Sequence, residues 1–334
     1  MTIAVIGAGA IGGLIAGYLK LKNINVSLVG SIDSVNAIKK NDLEISGVRG
    51  EFKIPIEIET ELKYLPDLAI LATKTQDLVE AVKTNLNFLK NTTILTTQNG
   101  IQADEIVAQF VPKENIISSI VMFGATYLEP GKVVHNFEGD WILGEAFSND
   151  GTKAIKIRKI FNDVFSPIVT QDIRGMKYLK IFVNANNCIP AILGVSMQEA
   201  FSDFNTSRIS IGIWKEGLDI VSRAGVSLVS LPDFPVERLT KLTVLPAAEA
   251  AKIFSGIMTN LSKVPLYGSI LQSIKRGRPS EIDYINGEFV TLAEKHSLKA
   301  PLNKKLVEMV HQVENTGKFF SREELFKNTE GLLE

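Results

Sequence analysis

Thr2-Ile3-Ala4-Val5-Ile6-Gly7-Ala8-Gly9-Ala10-Ile11-Gly12-Gly13-Leu14 is the stretch that decides the fold. Thr2 to Ile6 is apolar and rich in β-branched residues, the pattern of a buried strand, whereas Leu14 to Leu21 reads as a helix. Between them, Gly7-Ala8-Gly9-Ala10-Ile11-Gly12 matches the dinucleotide-binding fingerprint in the context it requires, a strand before and a helix after. Each glycine has its own task. Gly7 permits the tight turn out of the strand, Gly9 lets the backbone approach a pyrophosphate, and Gly12 lets helix and strand pack closely. The helix N-terminus then offers N–H groups and a partial positive charge to the phosphates. Met1 to Leu19 carries no charged residue and approaches the length of a membrane span or signal sequence. No Lys or Arg precedes it, however, and five glycines (Gly7, Gly9, Gly12, Gly13 and Gly17) interrupt it. The segment therefore reads as the first βα unit of a soluble α/β domain.

Working outward, further strand-like runs lie at Asn25 to Val29, Leu68 to Ala72, Thr93 to Thr97 and Ile116 to Val121, with helical periodicity at Leu78 to Leu89 and Ala103 to Phe110. This alternation predicts a Rossmann-type, doubly wound α/β sheet. Phe52 to Ile58 alternates and predicts one extra strand near the sheet edge. Val133 to Asn136 and Trp141 to Leu143, around a turn at Glu138-Gly139-Asp140, predict antiparallel strands added to the parallel sheet. A helix is expected at about Lys153 to Phe165. After Ile173 strand signals nearly vanish. Amphipathic stretches at about Gly175 to Leu193, Ser207 to Ala224, Ala247 to Lys263, Ile282 to His296 and Leu302 to Glu314 predict an all-helical second domain. The expected division is residues 1–173, binding dinucleotide, and 174–334, carrying substrate and catalytic groups, with a boundary near Asp172 to Gly175. Ser321 and Glu324 form a capping-box signal in the tail.

Composition agrees with this division. The chain has 334 residues, 45% of them hydrophobic and 22% charged. That is a globular mix long enough for about two domains. A formal net charge of -1 gives no electrostatic drive toward nucleic acid or anionic lipid, so neither is expected as a partner. The lone cysteine, Cys188, cannot form an internal disulfide, so nothing implies an oxidising compartment and a cytoplasmic location is expected. His135, His296 and His311 lack ligand spacing, and no metal site is expected.

Polar groups follow three strand ends, where ligands of open α/β sheets bind. At Leu28-Val29-Gly30-Ser31 neither the acidic residue usual for NAD nor the basic residue usual for NADP is present. Asp33 follows Ser31, and Lys39 and Lys40 lie on the next helix. The choice between the two dinucleotides stays open here. Lys74 and Gln76 follow the strand ending at Ala72, and Gln98-Asn99-Gly100 follows the next. Lys74 suits a phosphate or ribose, and Asn99 the nicotinamide ribose or a substrate; the alternatives are a surface lysine and a turn Asn-Gly. In the first helix of the second domain, Lys180, Asn184 and Cys188 fall at i, i+4 and i+8 and would share one face, with Asn187 nearly on it. The surrounding residues are apolar. A buried lysine has a pKa lowered toward neutrality, which suits a general acid; the alternative is a lysine snorkelling at an exposed edge. In Arg278-Pro279-Ser280-Glu281-Ile282-Asp283, Ser280 and Asp283 read as a helix cap, which leaves Glu281 unexplained.

Taken together these residues resemble the ketopantoate reductase family (2-dehydropantoate 2-reductase). The most specific piece is Gly277-Arg278-Pro279-Ser280-Glu281-Ile282-Asp283-Tyr284-Ile285-Asn286-Gly287, close to the family signature. Lys74 with Gln76, Gln98-Asn99-Gly100, and Lys180 with Asn184 support it. The resemblance implies reduction of 2-dehydropantoate to (R)-pantoate with NADPH, for pantothenate synthesis. It implies that Lys180 donates the proton to the substrate carbonyl, with Glu281 near it and near the cofactor, holding the lysine in place. Gly7, Ala8, Gly9, Ala10, Ile11, Gly12, Ser31, Lys74, Asn99 and Glu281 would bind the cofactor. Asn99, Lys180, Asn184, Cys188 and Ser269 would meet the substrate. Ser31 stands where the family commonly has Arg for the 2′-phosphate, which admits NAD as cofactor. Cys188 replaces a second helix Asn, and Ser273 replaces an Asp. Two rival expectations follow: a reductase of another branched 2-oxo acid, or a dinucleotide-binding sensor without catalysis. The helical half and tail are compatible with a homodimer.

Overall fold

The computed structural model describes residues 1–333, and the chain divides into two compact units, Met1–Arg174 and Gly175 onward. In the first unit the described residues form twelve strands: β1 (Thr2–Ile6), β2 (Asn25–Val29), β3 (Leu43–Gly47), β4 (Phe52–Ile54), β5 (Glu57–Glu59), β6 (Leu68–Leu71), β7 (Thr93–Thr96), β8 (Ile116–Val121), β9 (Gly124–Glu129), β10 (Lys132–Phe137), β11 (Trp141–Glu145) and β12 (Ile168–Val169). The main sheet runs β12-β11-β8-β7-β6-β1-β2-β5. From β5 to β8 every pairing is parallel, and β11 lies antiparallel to β8. The chain steps outward from β1 to β2 and β5 on one side and through β6, β7 and β8 on the other. The carboxyl ends of β1 and β6 therefore flank the switch point where such sheets bind ligands. β6 is buried along its whole length, which is why it reads as an unbroken apolar run.

Two expectations are corrected. Phe52 to Ile58 is not one strand. Pro55 has no N–H for a ladder, so the run breaks there. β4 joins a second sheet, and β5 pairs with β2 at the edge of the main one. Of the two strands expected to extend the parallel sheet, only β11 does so. β10 belongs to the second sheet, ordered β4-β3-β10-β9. That sheet packs on the helix Ala10–Leu21 and explains two glycines that the fingerprint does not use. A Cβ on Gly17 would stand 2.3 Å from Ile45 Cδ1, and one on Gly13 3.0 Å from Val133 Cγ2. The same helix is tied down through Tyr18, whose hydroxyl shares a 3.0 Å hydrogen bond with Nδ1 of the buried His135. Burial holds the His135 pKa below its ordinary value, so the ring is neutral at pH 7. Arg49 lies 4.7 Å from the Tyr18 ring centroid and pairs with Glu138 at 2.6 Å. The result is a rigid mount for the glycine turn at the helix's other end.

The second unit is helical. Its core helix Ile173–Ala185 is held by Phe182 against Phe289, with ring centroids 4.8 Å apart, and by the Trp214 indole N–H, which donates to the Phe182 carbonyl at 2.8 Å. The expected single helix to Leu193 is two helices, the second being Cys188–Leu193. Pro190 causes the break. It has no N–H to give the Asn186 carbonyl, and its ring crowds that carbonyl. Asn186 O accepts from Ile189 N at 3.2 Å instead. The tail helix Arg322–Thr329 starts with the full capping box of Ser321 and Glu324. No helix among the described residues is long and apolar enough to cross a membrane.

Candidate functional site

The glycine turn follows β1 directly. Gly7 has φ +115°, which L side chains rarely adopt, and a Cβ there would lie 2.6 Å from the Ala72 carbonyl carbon on the loop after β6. Gly12 is closed off as well: a Cβ would come 1.9 Å from the Gly7 carbonyl oxygen. Gly9 differs from both. It has φ -86° and ψ -160° as N-cap of the helix Ala10–Leu21, and its would-be Cβ meets nothing within 4 Å. No side chain caps this helix, and no acidic residue lies in its first turn. The turn thus presents bare backbone, an open space over Gly9 and a positive helix end. That fits a dinucleotide pyrophosphate.

Ser31, two residues after β2, is the N-cap of the helix Ile32–Asn41, with its side chain accepting from Ser34 N. The two lysines on that helix are out of play for a group at Ser31. Lys39 is eight residues on, about 12 Å along the axis. Its ammonium also pairs with Glu59 at 2.7 Å. Ser31 is exposed, with no cation beside it on its own helix turn.

Lys74 and Asn99 are half-buried on the loops after β6 and β7. Gln98 turns out to be the staple between these loops. Its Nε2 donates to Leu71 O and to Thr73 O, each at 2.9 Å, and Thr97 Oγ1 donates to Leu71 O at 2.9 Å. The sequence placed Gln98 among groups facing a ligand; the fold uses it to fix the loop that carries Asn99. Thr73 Oγ1 is buried there without a hydrogen-bond partner.

In the second unit, Lys180 lies on the core helix with intermediate exposure, and burial pushes its pKa down to about 8. Among the described residues its side chain makes no hydrogen bond and no ion pair. Burial is the cause of that pKa shift, and no carboxylate contributes to it. An adjacent carboxylate would raise the lysine pKa. Asn184, one turn on, is half-buried.

The break before Pro190 reorders the rest of the face. Cys188, expected to meet substrate, is fully buried, and its thiol is pushed up to about 12 by burial. It faces the core beside Asn286, which hydrogen-bonds Asn303 at 3.0 Å. Asn187 takes the outward place. Its Cγ would lie 3.1 Å from a Cβ on Gly268, next to the exposed Ser269. Ser273, buried below, donates to the Ser269 carbonyl at 2.9 Å and so braces that turn. A continuous helix had put Cys188 on the Lys180 face; in the structure Cys188 is buried and Asn187 is the partly exposed residue of the break.

Glu281 is half-buried at the start of a 3-10 turn, Ile282–Tyr284. The cap expected from Ser280 and Asp283 is not the one built, because the helix that follows starts only at Asn286. Asp283 Oδ1 lies instead 2.9 Å from His311 Nε2, and Ser280 N donates to Glu314 Oε1 at 2.7 Å. His311 and Glu314 were absent from the expected set. Their i, i+3 spacing was visible in the sequence, but their partners lie 28 and 34 residues away.

Sequence profiles described as ketopantoate reductase PanE/ApbA and its C-terminal part match residues 3–147 and 172–314. The chain belongs to the ketopantoate reductase family. A 2-dehydropantoate 2-reductase from Pyrococcus horikoshii is 30% identical over 95% of this chain and 99% of its own length. One from Pyrococcus abyssi is 30% identical over 91% of this chain and 94% of its own length. Among solved structures, the ternary complex of D-mandelate dehydrogenase with NADH and anilino(oxo)acetate superposes with TM-score 0.80 at 26% identity, covering 95% of this chain and 99% of that one. A 2-dehydropantoate 2-reductase from Geobacter metallireducens shares the fold, with TM-score 0.79 at 21% identity over 94% of this chain and all of the other.

Proposed function

We propose that this ketopantoate reductase family member reduces 2-dehydropantoate to (R)-pantoate, with Lys180 as proton donor. The observation that carries the reading is an unpaired, half-buried lysine with pKa about 8 in a chain that also has an open glycine turn. A dinucleotide-binding sensor needs the second but not the first. Such a lysine is mostly protonated at neutral pH, yet gives up its proton far more readily than an exposed one. Its positive charge also stabilises the oxyanion that develops as the carbonyl is reduced.

The bound dinucleotide supplies the hydride. Gly7, Ala8, Gly9, Ala10, Ile11 and Gly12 would hold its pyrophosphate by backbone N–H groups, and Lys74 and Asn99 its ribose and phosphate groups. Asn184, Asn187 and Ser269 would orient the acid by hydrogen bonds to its carboxylate and hydroxyl. Glu281 would accept hydrogen bonds from the bound ligands.

On the cofactor, Ser31 with no cation on its own helix turn favours NADH over the phosphorylated form. Ser31→Arg is expected to raise the ratio of kcat/KM for NADPH over NADH by roughly tenfold or more, the worth of one charge-assisted phosphate contact. An unchanged ratio places the 2′-phosphate elsewhere. A second reading has specific support. With Cys188 turned into the core, one polar anchor is replaced by Asn187 at a shifted position, which suits a different branched 2-oxo acid. The likeness to D-mandelate dehydrogenase points the same way. The decisive assay mixes the protein with NADH or NADPH and a panel of 2-oxo acids and follows absorbance of the reduced cofactor. Highest kcat/KM with 2-dehydropantoate supports the first reading. Highest turnover with another acid selects the second, and cofactor binding without any turnover selects the sensor.

A further inference from the structure

We propose that His311 is a positioning residue for the reaction: with Glu314 it clamps the turn that carries Glu281. The inference rests on the reading of Glu281 as a site residue. The turn is held on both sides of Glu281 by one helix, Pro301–Thr316. Upstream, the buried Ser280 gives its backbone N–H to Glu314 Oε1 at 2.7 Å. Downstream, Asp283 Oδ1 meets His311 Nε2 at 2.9 Å. The two anchors are themselves joined, because His311 Nδ1 lies 2.9 Å from Glu314 Oε2. Ile282 is fully buried beneath the turn, and Tyr284 N donates back to the Glu281 carbonyl at 3.0 Å.

Each imidazole nitrogen faces a carboxylate oxygen at hydrogen-bond distance, so both must donate, and the ring is an imidazolium. A neutral ring would set one lone pair against a carboxylate and release one end of the clamp. The two carboxylates raise the His311 pKa against the effect of burial, and Asp283 and Glu314 are the charged groups that face it. The Asp283 end is largely exposed, at 55% of its side chain, so as a surface ion pair it adds little stability. Its geometric effect on the residue it brackets is the larger one, because small displacements of a reacting group are costly in rate.

A purely structural His311 would affect folding and leave the remaining kinetics alone, whichever residue stands at 281. A positioning His311 acts only through Glu281. The test is a double-mutant cycle on kcat for 2-oxo acid reduction in the full chain, with thermal melts as a control. His311→Gln is expected to lower kcat by about tenfold. In a Glu281→Gln background the same change is expected to lower it no further. Asp283→Ala, which removes the acceptor for His311 Nε2 and leaves the His311–Glu314 pair in place, should show the same masking and keeps the test readable should His311→Gln fold poorly. Wild-type kcat in both single variants, or losses that persist in full without Glu281, overturns the clamp alone. Wild-type kcat in Glu281→Gln overturns the reading of Glu281 and the clamp with it.

Discussion

Lys180→Met will lose kcat by roughly 10³–10⁴-fold and gain thermal stability at neutral pH. In the proposed mechanism, the first effect removes both the proton donor and the charge facing the developing oxyanion. The second follows from the lowered pKa. Folding takes the lysine from its ordinary 10.5 to about 8, so the folded state binds the proton less tightly than the unfolded state. The cost is fully present below about pH 8, and stability recovers as pH rises toward 10.5. The shift corresponds to at most about 3 kcal/mol, less what solvent at this half-buried site screens. Methionine keeps the packing of the stem without the charge. Melting at pH 7 should therefore rise by a few degrees, and the climb in stability between pH 8 and 10.5 should flatten. If Lys180 is the donor as proposed, the reductive kcat of the parent protein should fall as pH rises through about 8, where the lysine loses its proton. A variant with near-normal kcat removes Lys180 from the chemistry. A variant with lost kcat but no stabilisation means that the ammonium is better solvated than its surroundings indicate.

Gly9→Ala and Gly12→Ala, three residues apart, are expected to fail for different reasons. Gly9 has a φ open to any residue and nothing within 4 Å of its Cβ direction. Alanine there should cost less than about 1 kcal/mol of stability, the difference between two N-caps. It should weaken dinucleotide binding by about 10–100-fold, because the methyl takes space over the backbone donors and breaks charge-assisted hydrogen bonds. At Gly12 the methyl would stand 1.9 Å from the Gly7 carbonyl oxygen, which is backbone and cannot swing aside. That substitution should destabilise the first unit by about 3 kcal/mol or more, by overpacking. Binding would fall as a consequence of the distorted turn. Melting curves together with a calorimetric dinucleotide titration separate the two. Equal stability losses in both variants, or intact binding in Gly9→Ala, would contradict the assignment of the space over Gly9 to a ligand.

The readable part of this protein was local. Glycine spacing between a β-branched strand and a helix placed the tight glycine turn, because backbone approach and helix polarity are fixed within a dozen residues. Strand-helix alternation gave the doubly wound sheet for the same reason. Periodicity put Lys180 and Asn184 on one face, and the capping box at Ser321 needed only four residues. What the sequence could not determine depended on partners far along the chain. The break at Pro190 turned Cys188 inward and Asn187 outward, and the direction of that turn is set by packing against Gly268 and Asn286. Gln98 became a staple because the carbonyls of Leu71, at the end of β6, and Thr73, on the loop after it, come within its reach only after β6 and β7 pair. Gly13 and Gly17 served a second sheet that no local pattern announced. His311, an isolated histidine in the sequence, became the pin of the Glu281 turn. A hydrogen bond across 28 residues has no sequence period, so only the folded chain could decide it.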